Sequence, residues 1–221
     1  MANTVAIGIQ EFEKIIKNKY FYIDKTSFIK EWWDAGDGVT LITRPRRFGK
    51  TLNMSMLECF FSVKYADRGD LFEGLSIWEE EEYRKLQGTY PVISLSFANV
   101  KEKDYLSTKQ RICRLIVELY NQHWYLMESD ILKENEKKDF IEVTEKKVNM
   151  SEEAATSVIY KLSDYLYRYY GKKVIILLDE YDTPMQEAYV YGYGDKKEEV
   201  KWWYDGFVFG QQRDIYNHGP F

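Results

Sequence analysis

The chain has 221 residues, a net charge of −5, 45% hydrophobic residues and 17% aromatic residues. That apolar content excludes a disordered chain and is enough for the core of one domain, or of one domain with an appendage. The mild acidic balance gives no support for bulk attraction to nucleic acid or membrane, although Arg44, Arg46 and Arg47 gather positive charge locally.

In chain order, residues 11–18 predict a short helix. "YFYIDKTSFIKEWWDAGDG" reads as an extended piece, a helix capped by Asp24 that runs to Trp33, and a turn at Gly36 and Gly38. The apolar, β-branched run "VTLIT" at 39–43 predicts a buried strand. From Thr51, "TLNMSMLECFFSV" has apolar residues at helical spacing, and "YPVISLSF" at 90–97 predicts a second strand. Ile112, Leu115, Ile116, Leu119 and Tyr120 mark a long amphipathic helix over 104–127. Residues 128–150 are charge-rich and read as exposed. Ser151-Glu152-Glu153 opens another helix, which Gly171 stops. A third strand, wholly apolar from Val174 to Leu178, runs into Asp179-Glu180, and the aromatic tail reads as turns and short strands.

Strands separated by long helices predict an α/β layer fold with a mostly parallel sheet. The expected organisation is a helical and extended segment at 1–38 packing on a core at 39–190, followed by an aromatic tail at 191–221. Cys59 and Cys113 each lie in a helical pattern and outside any CxxC pair, as buried thiols in a reducing compartment would. With two histidines in the chain, zinc chemistry is not expected. No run approaches the length of a membrane span and "MANTVAIGIQEFEKI" is not a signal peptide, so the expected location is the cytoplasm.

The stretch "LITRPRRFGKTLNM" carries the chemistry. Gly49-Lys50-Thr51, after one expected strand and before an expected helix, is the ending of a phosphate-binding loop: backbone N–H groups and a lysine for the phosphates, and a hydroxyl for magnesium. Arg44 stands where the first glycine of that loop would be, and Pro45 biases it toward an extended backbone. Arg46 and Arg47 could add charged donors to phosphate oxygens, while Phe48 and Leu52 flank the Gly-Lys-Thr core on either side. A basic surface turn that caps a helix would have the same composition. The end of the third strand tilts the choice. Asp179 at a strand's carboxyl end can hold magnesium, with Thr51, and Glu180 beside it can orient or deprotonate an attacking water. Asp182 is expected to shape the following loop, and Asp24-Lys25-Thr26 to be a helix start and not a catalytic group. Trp32-Trp33 and Trp202-Trp203 read as core or interface, with a platform for single-stranded nucleic acid as the alternative. Arg213 is a candidate arginine finger that nothing singles out.

"YFYIDKTSFI", "LITRPRRFGKTLNMSML", "YPVISLSF", "IILLDEYDTPMQEA" and "WYDGFVFG…DIYN" resemble, in order, the blocks of the predicted AAA-ATPase-like family. Its members are bacterial and archaeal proteins that often carry a C-terminal nuclease-like domain of the PD-(D/E)XK type. The resemblance covers nearly the whole chain, and it makes Arg44 a family character. It implies a P-loop NTPase-like three-layer fold, ATP binding by Lys50 and Thr51, magnesium binding by Asp179, and a catalytic role for Glu180. In two places the sequence departs from the family pattern. The chain ends at "DIYNHGPF", which leaves no room for a nuclease-like domain. Only "AYVYGYGDKKEEVKW" separates the Asp-Glu-Tyr-Asp block from the Trp-Tyr-Asp-Gly block, where relatives place a further strand and a sensor of the γ-phosphate. The expectation is therefore an internally shortened member with an incomplete sheet. It would bind ATP and Mg2+ and hydrolyse ATP weakly or with a partner's help, that partner being a second copy or another protein completing the sheet. The alternatives are an inactive nucleotide-binding or interaction module and, against the charge balance, an accessory domain for single-stranded nucleic acid.

Overall fold

The computed structural model describes residues 8–42, 48–145 and 152–193. They fall into two units. One takes the chain up to Ser94 and then Lys172–Asp179; the other takes Leu95–Gly171 and the chain from Glu180 onward. The first unit opens with α1 (Phe12–Lys17), α2 (Ser27–Ala35) and α3 (Lys50–Phe61). α1 buries Phe12 and Ile15 and is tied to α3 where the Phe12 N–H donates to Ser55 Oγ at 3.0 Å. α2 ends at Gly36, whose φ of +64° gives the left-handed closing residue that glycine adopts cheaply.

Aromatic rings hold this unit together. Phe12 stacks on Phe72 at 5.2 Å, and Phe60 meets Phe72 and Phe61 edge-on at 5.1 and 5.0 Å. Phe61 stacks on Trp33 at 5.3 Å and meets Trp32 edge-on at 5.4 Å. Each such pair contributes about 0.5–1.5 kcal/mol beyond the area it buries. Trp32 and Trp33 are thus half-buried and packed against the core.

After α3 the chain descends through short 3-10 turns and the single-turn α4 (Glu81–Arg84) to β1 (Val92–Ser96). β1 pairs in parallel with β2 (Ile175–Asp179), and the Ile175 N–H donates to Pro91 O at 3.0 Å. Among the described residues the sheet has these two strands, a small mixed helix-and-strand arrangement compatible with the expected α/β class. Residues 39–42 of the expected first strand are not a strand. Leu41 is 42% exposed there, and Thr40 Oγ1 accepts a hydrogen bond from Trp32 Nε1 at 3.1 Å. A short apolar run becomes a buried strand only where a ladder receives it, and this one is spent on local packing beside Trp32.

The second unit is helical: α5 (Tyr105–Gln122), α6 (Glu134–Glu145), α7 (Glu152–Tyr170) and α8 (Thr183–Val190). Asp104 caps α5 by accepting from the Ser107 N–H at 2.9 Å. Tyr120 in α5 packs on Phe140 of α6 at 4.7 Å and donates its hydroxyl to Val158 O of α7 at 2.7 Å. α6 corrects the expectation of an exposed charged segment. Its charges face out, and Phe140, Val143 and Thr144 form a narrow buried stripe that the surrounding Glu and Lys residues mask in the sequence. Arg168 of α7 fastens α6 through Glu136 at 2.9 Å and Ile131 O at 2.9 Å. Cys59 and Cys113 are buried thiols, neither in a disulfide, and no helix among the described residues is long and apolar enough to cross a membrane.

Two outcomes follow. A Cβ at Gly88, where φ is +66°, would come within 2.2 Å of Ala66 Cα. Gly88→Ala should cost about 2–4 kcal/mol in denaturant unfolding, from the clash and the left-handed backbone together. Burial pushes the His123 imidazole down to about 4. The unfolded chain then binds more protons between pH 6.5 and pH 4. Stability is full above 6.5 and falls by up to about 3 kcal/mol as pH drops through that window. His123→Phe should flatten this part of the stability curve.

Candidate functional site

The site is built on the first turn of α3. Gly49 precedes the helix with φ +78°, and its carbonyl accepts the first helical hydrogen bond, from the Asn53 N–H at 2.9 Å. Lys50 and Thr51 are the first two helical residues, and both are half-buried. The free N–H groups of that turn and the helix dipole make a positive end. No acidic residue in the first turn offsets it. The Lys50 ammonium has no carboxylate within ion-pair distance among the described residues. Leu52 turns inward and packs on the aromatic core, while Phe48 is 58% exposed. Arg46 and Arg47, with Arg44 and Pro45, lie outside the described residues.

The second element is the end of β2. Leu177 belongs to the same apolar cluster as Met56, Leu57, Phe60 and Phe61, which lays the strand against α3. Asp179 closes the strand with 9% of its surface exposed, and its Oδ2 is buried with no hydrogen-bond partner among the described residues. A buried carboxylate oxygen left without a donor costs a few kcal/mol. Such an oxygen is suited to a bound cation. Magnesium is commonly held by one or two carboxylates, with phosphates and water completing its shell, and among the described residues no group of three or more His, Cys, Asp or Glu side chains forms a dedicated cage.

Glu180 follows in the left-handed region, at φ +50°. This is uncommon for a residue with a side chain, and such strain concentrates at functional positions. Its carbonyl accepts from the Thr183 N–H at 3.0 Å, closing a turn into α8. Asp182 is the N-cap residue of α8, and its Oδ2 accepts from Gln186 Nε2 at 2.6 Å, a structural role. Trp202, Trp203 and Arg213 lie outside the described residues.

Asp24 corrects its expected role. The residue at the start of α2 is Thr26, and Asp24 does not cap the helix. Instead Oδ1 of Asp24 accepts from the N–H and hydroxyl of Thr26 at 2.8 and 2.7 Å, and Oδ2 accepts from the Ser76 N–H at 2.8 Å. Burial alone would raise its pKa, but these hydrogen bonds outweigh it and hold the carboxyl below the ordinary carboxylate value. Lys25, between them, brings its Nζ to 3.9 Å from where a Cβ on Gly49 would lie. No spacing rule in the sequence could have found that approach, because 24 positions separate the two residues.

The left-handed backbone at Glu180 separates two substitutions that both remove the carboxylate. Glycine accepts that conformation and a β-branched residue does not. Glu180→Val should therefore be about 1–2 kcal/mol less stable than Glu180→Gly in denaturant unfolding. Equal stabilities would show that the turn is unstrained.

The curated "uncharacterized protein in vnfD 5'region" of Azotobacter chroococcum mcd 1 is 28% identical over 180 residues, which cover 81% of this chain and 29% of that protein. The chain thus spans less than a third of the length of that relative. No solved structure matches. The family model described as predicted AAA-ATPase matches residues 6–215, and the chain belongs to that AAA-ATPase-like family.

Proposed function

We propose that this chain binds ATP with magnesium at the start of α3 and hydrolyses it slowly, or quickly only with a partner's help. The observation that carries the reading is the buried Asp179 Oδ2, unpartnered among the described residues, at the end of a strand packed against the helix that Gly49 caps and Lys50-Thr51 begin. Family membership supports it.

On this reading the N–H groups from Gly49 to Leu52 hold phosphate oxygens and Lys50 reaches the β and γ oxygens. Arg46 and Arg47 add donors from the preceding loop, and Phe48 borders the nucleotide. Thr51 Oγ1 and Asp179 would hold magnesium, which when bound neutralises charge on the phosphates. Glu180 orients a water in line with the γ-phosphorus and takes its proton. The new P–O bond forms as the bond to the β–γ bridging oxygen breaks, releasing ADP and phosphate. The short join "AYVYGYGDKKEEVKW" favours a second reading, a nucleotide-binding module without turnover. A γ-phosphate sensor on a further strand has little room there.

Calorimetry with a non-hydrolysable ATP analogue and magnesium tests the first step. Lys50→Ala should weaken binding by about 10–100-fold, as for loss of a charge-assisted hydrogen bond. Absence of binding by the unaltered chain would end the nucleotide reading. Phosphate release should be slow, and lower still in Glu180→Gln with affinity kept. Release of several turnovers per second without a partner would refute the slow-turnover statement.

A further inference from the structure

We infer that Lys25 is a second cation of the phosphate site, delivered to Gly49 from the segment before α2; the inference rests on the nucleotide reading above.

The Lys25 ammonium lies 3.9 Å from the Cβ position of Gly49, at the open end of a helix that already presents Lys50 and unpaired N–H groups. Lys25 thus adds a positive group beside that helix end. Lys17 is neutralised by Glu13 at 2.7 Å and Lys30 by Glu80 at 2.6 Å. Lys25 and Lys50, like Lys19, Lys172 and Lys173 of the same unit, have no carboxylate within ion-pair distance among the described residues, and of these five it is Lys25 that lies beside Gly49. Asp24, next in the chain, makes no ion pair with Lys25; its oxygens accept from Thr26 and Ser76 instead. A cation beside a helix N-terminus adds to the positive end of the helix dipole, and an anion seated there would be attracted by both.

The mount is fixed as well. Thr26 is fully buried, and its Oγ1 shares a hydrogen bond with Ser76 Oγ at 3.0 Å and accepts from the Ile77 N–H at 3.2 Å. The Lys25 N–H donates to the Tyr22 hydroxyl at 3.4 Å, and that hydroxyl donates to Met56 Sδ on α3 at 3.4 Å. The backbone beneath the lysine is therefore registered against the helix that holds the phosphates, while the ammonium stays exposed. An exposed side chain on a fixed base can contribute charge without setting the fold. Asp179 supplies the independent sign of a ligand at this helix, as a nine-tenths-buried carboxylate with an unpartnered oxygen on the adjoining strand. The ligand chemistry is a polyphosphate with a divalent cation: two ammonium groups and a helix end for the anion, one carboxylate for the metal.

The test is calorimetric titration of the full chain with a non-hydrolysable ATP analogue plus magnesium, and separately with inorganic tripolyphosphate plus magnesium. Lys25→Met should weaken both about tenfold, Lys25→Arg should stay within about threefold of the parent, and Lys30→Met should change neither. Unfolding midpoints should stay unchanged throughout. If Lys25→Met destabilises the chain, Lys25→Gln carries the same expectation. Unchanged affinity in Lys25→Met, with Lys50→Ala still impaired, overturns the role of Lys25 and leaves the nucleotide reading standing. A loss for the nucleotide alone, with tripolyphosphate unaffected, overturns the phosphate assignment. No binding of either probe by the unaltered chain overturns both statements.

Discussion

The packing of Phe60 and Phe61 at the end of α3 is the constraint on which the rest of the first unit depends. Phe60 reaches α1 through Phe72, and Phe61 reaches α2 through Trp32 and Trp33. Leu177 of β2 joins the same cluster. One helix of 12 residues therefore has two jobs: its last turn organises the core and its first turn presents Gly49, Lys50 and Thr51. A rigid helix transmits position along its length, so the aromatic core sets where the Gly49-Lys50-Thr51 turn points.

The same economy holds on the opposite side of the site. Asp24 ties the segment before α2 to the turn at Ser76. That tie places Lys25. The polar groups of this segment thus divide into the exposed Lys25 and those that hold its backbone in place, Asp24, Thr26 and Ser76.

Much of this was legible in the sequence. The helical period of α5 and α7, the apolar run ending in Asp179 and the Gly-Lys-Thr helix start are all local patterns, and local patterns survive in one dimension. The stripe of α6 was hidden, because Phe140 and Val143 sit among Glu and Lys residues that outweigh them in composition. "VTLIT" misled for the converse reason. Its residues suit a strand, but a strand exists only with a neighbour, and Thr40 found Trp32 instead. The approach of Lys25 to Gly49 is a tertiary event with no periodic signature. The unpartnered oxygen of Asp179 is likewise invisible in sequence, since "LLDE" says nothing about which donors fold around it.

That carboxylate oxygen also bears on the economics of folding. A buried acceptor without a protein donor lowers the stability that the surrounding core supports. Were the proposed cation and anion to bind beside it, they would offset that cost by an amount that grows with ligand concentration over affinity. The folded fraction of the chain would then depend on how much ligand surrounds it.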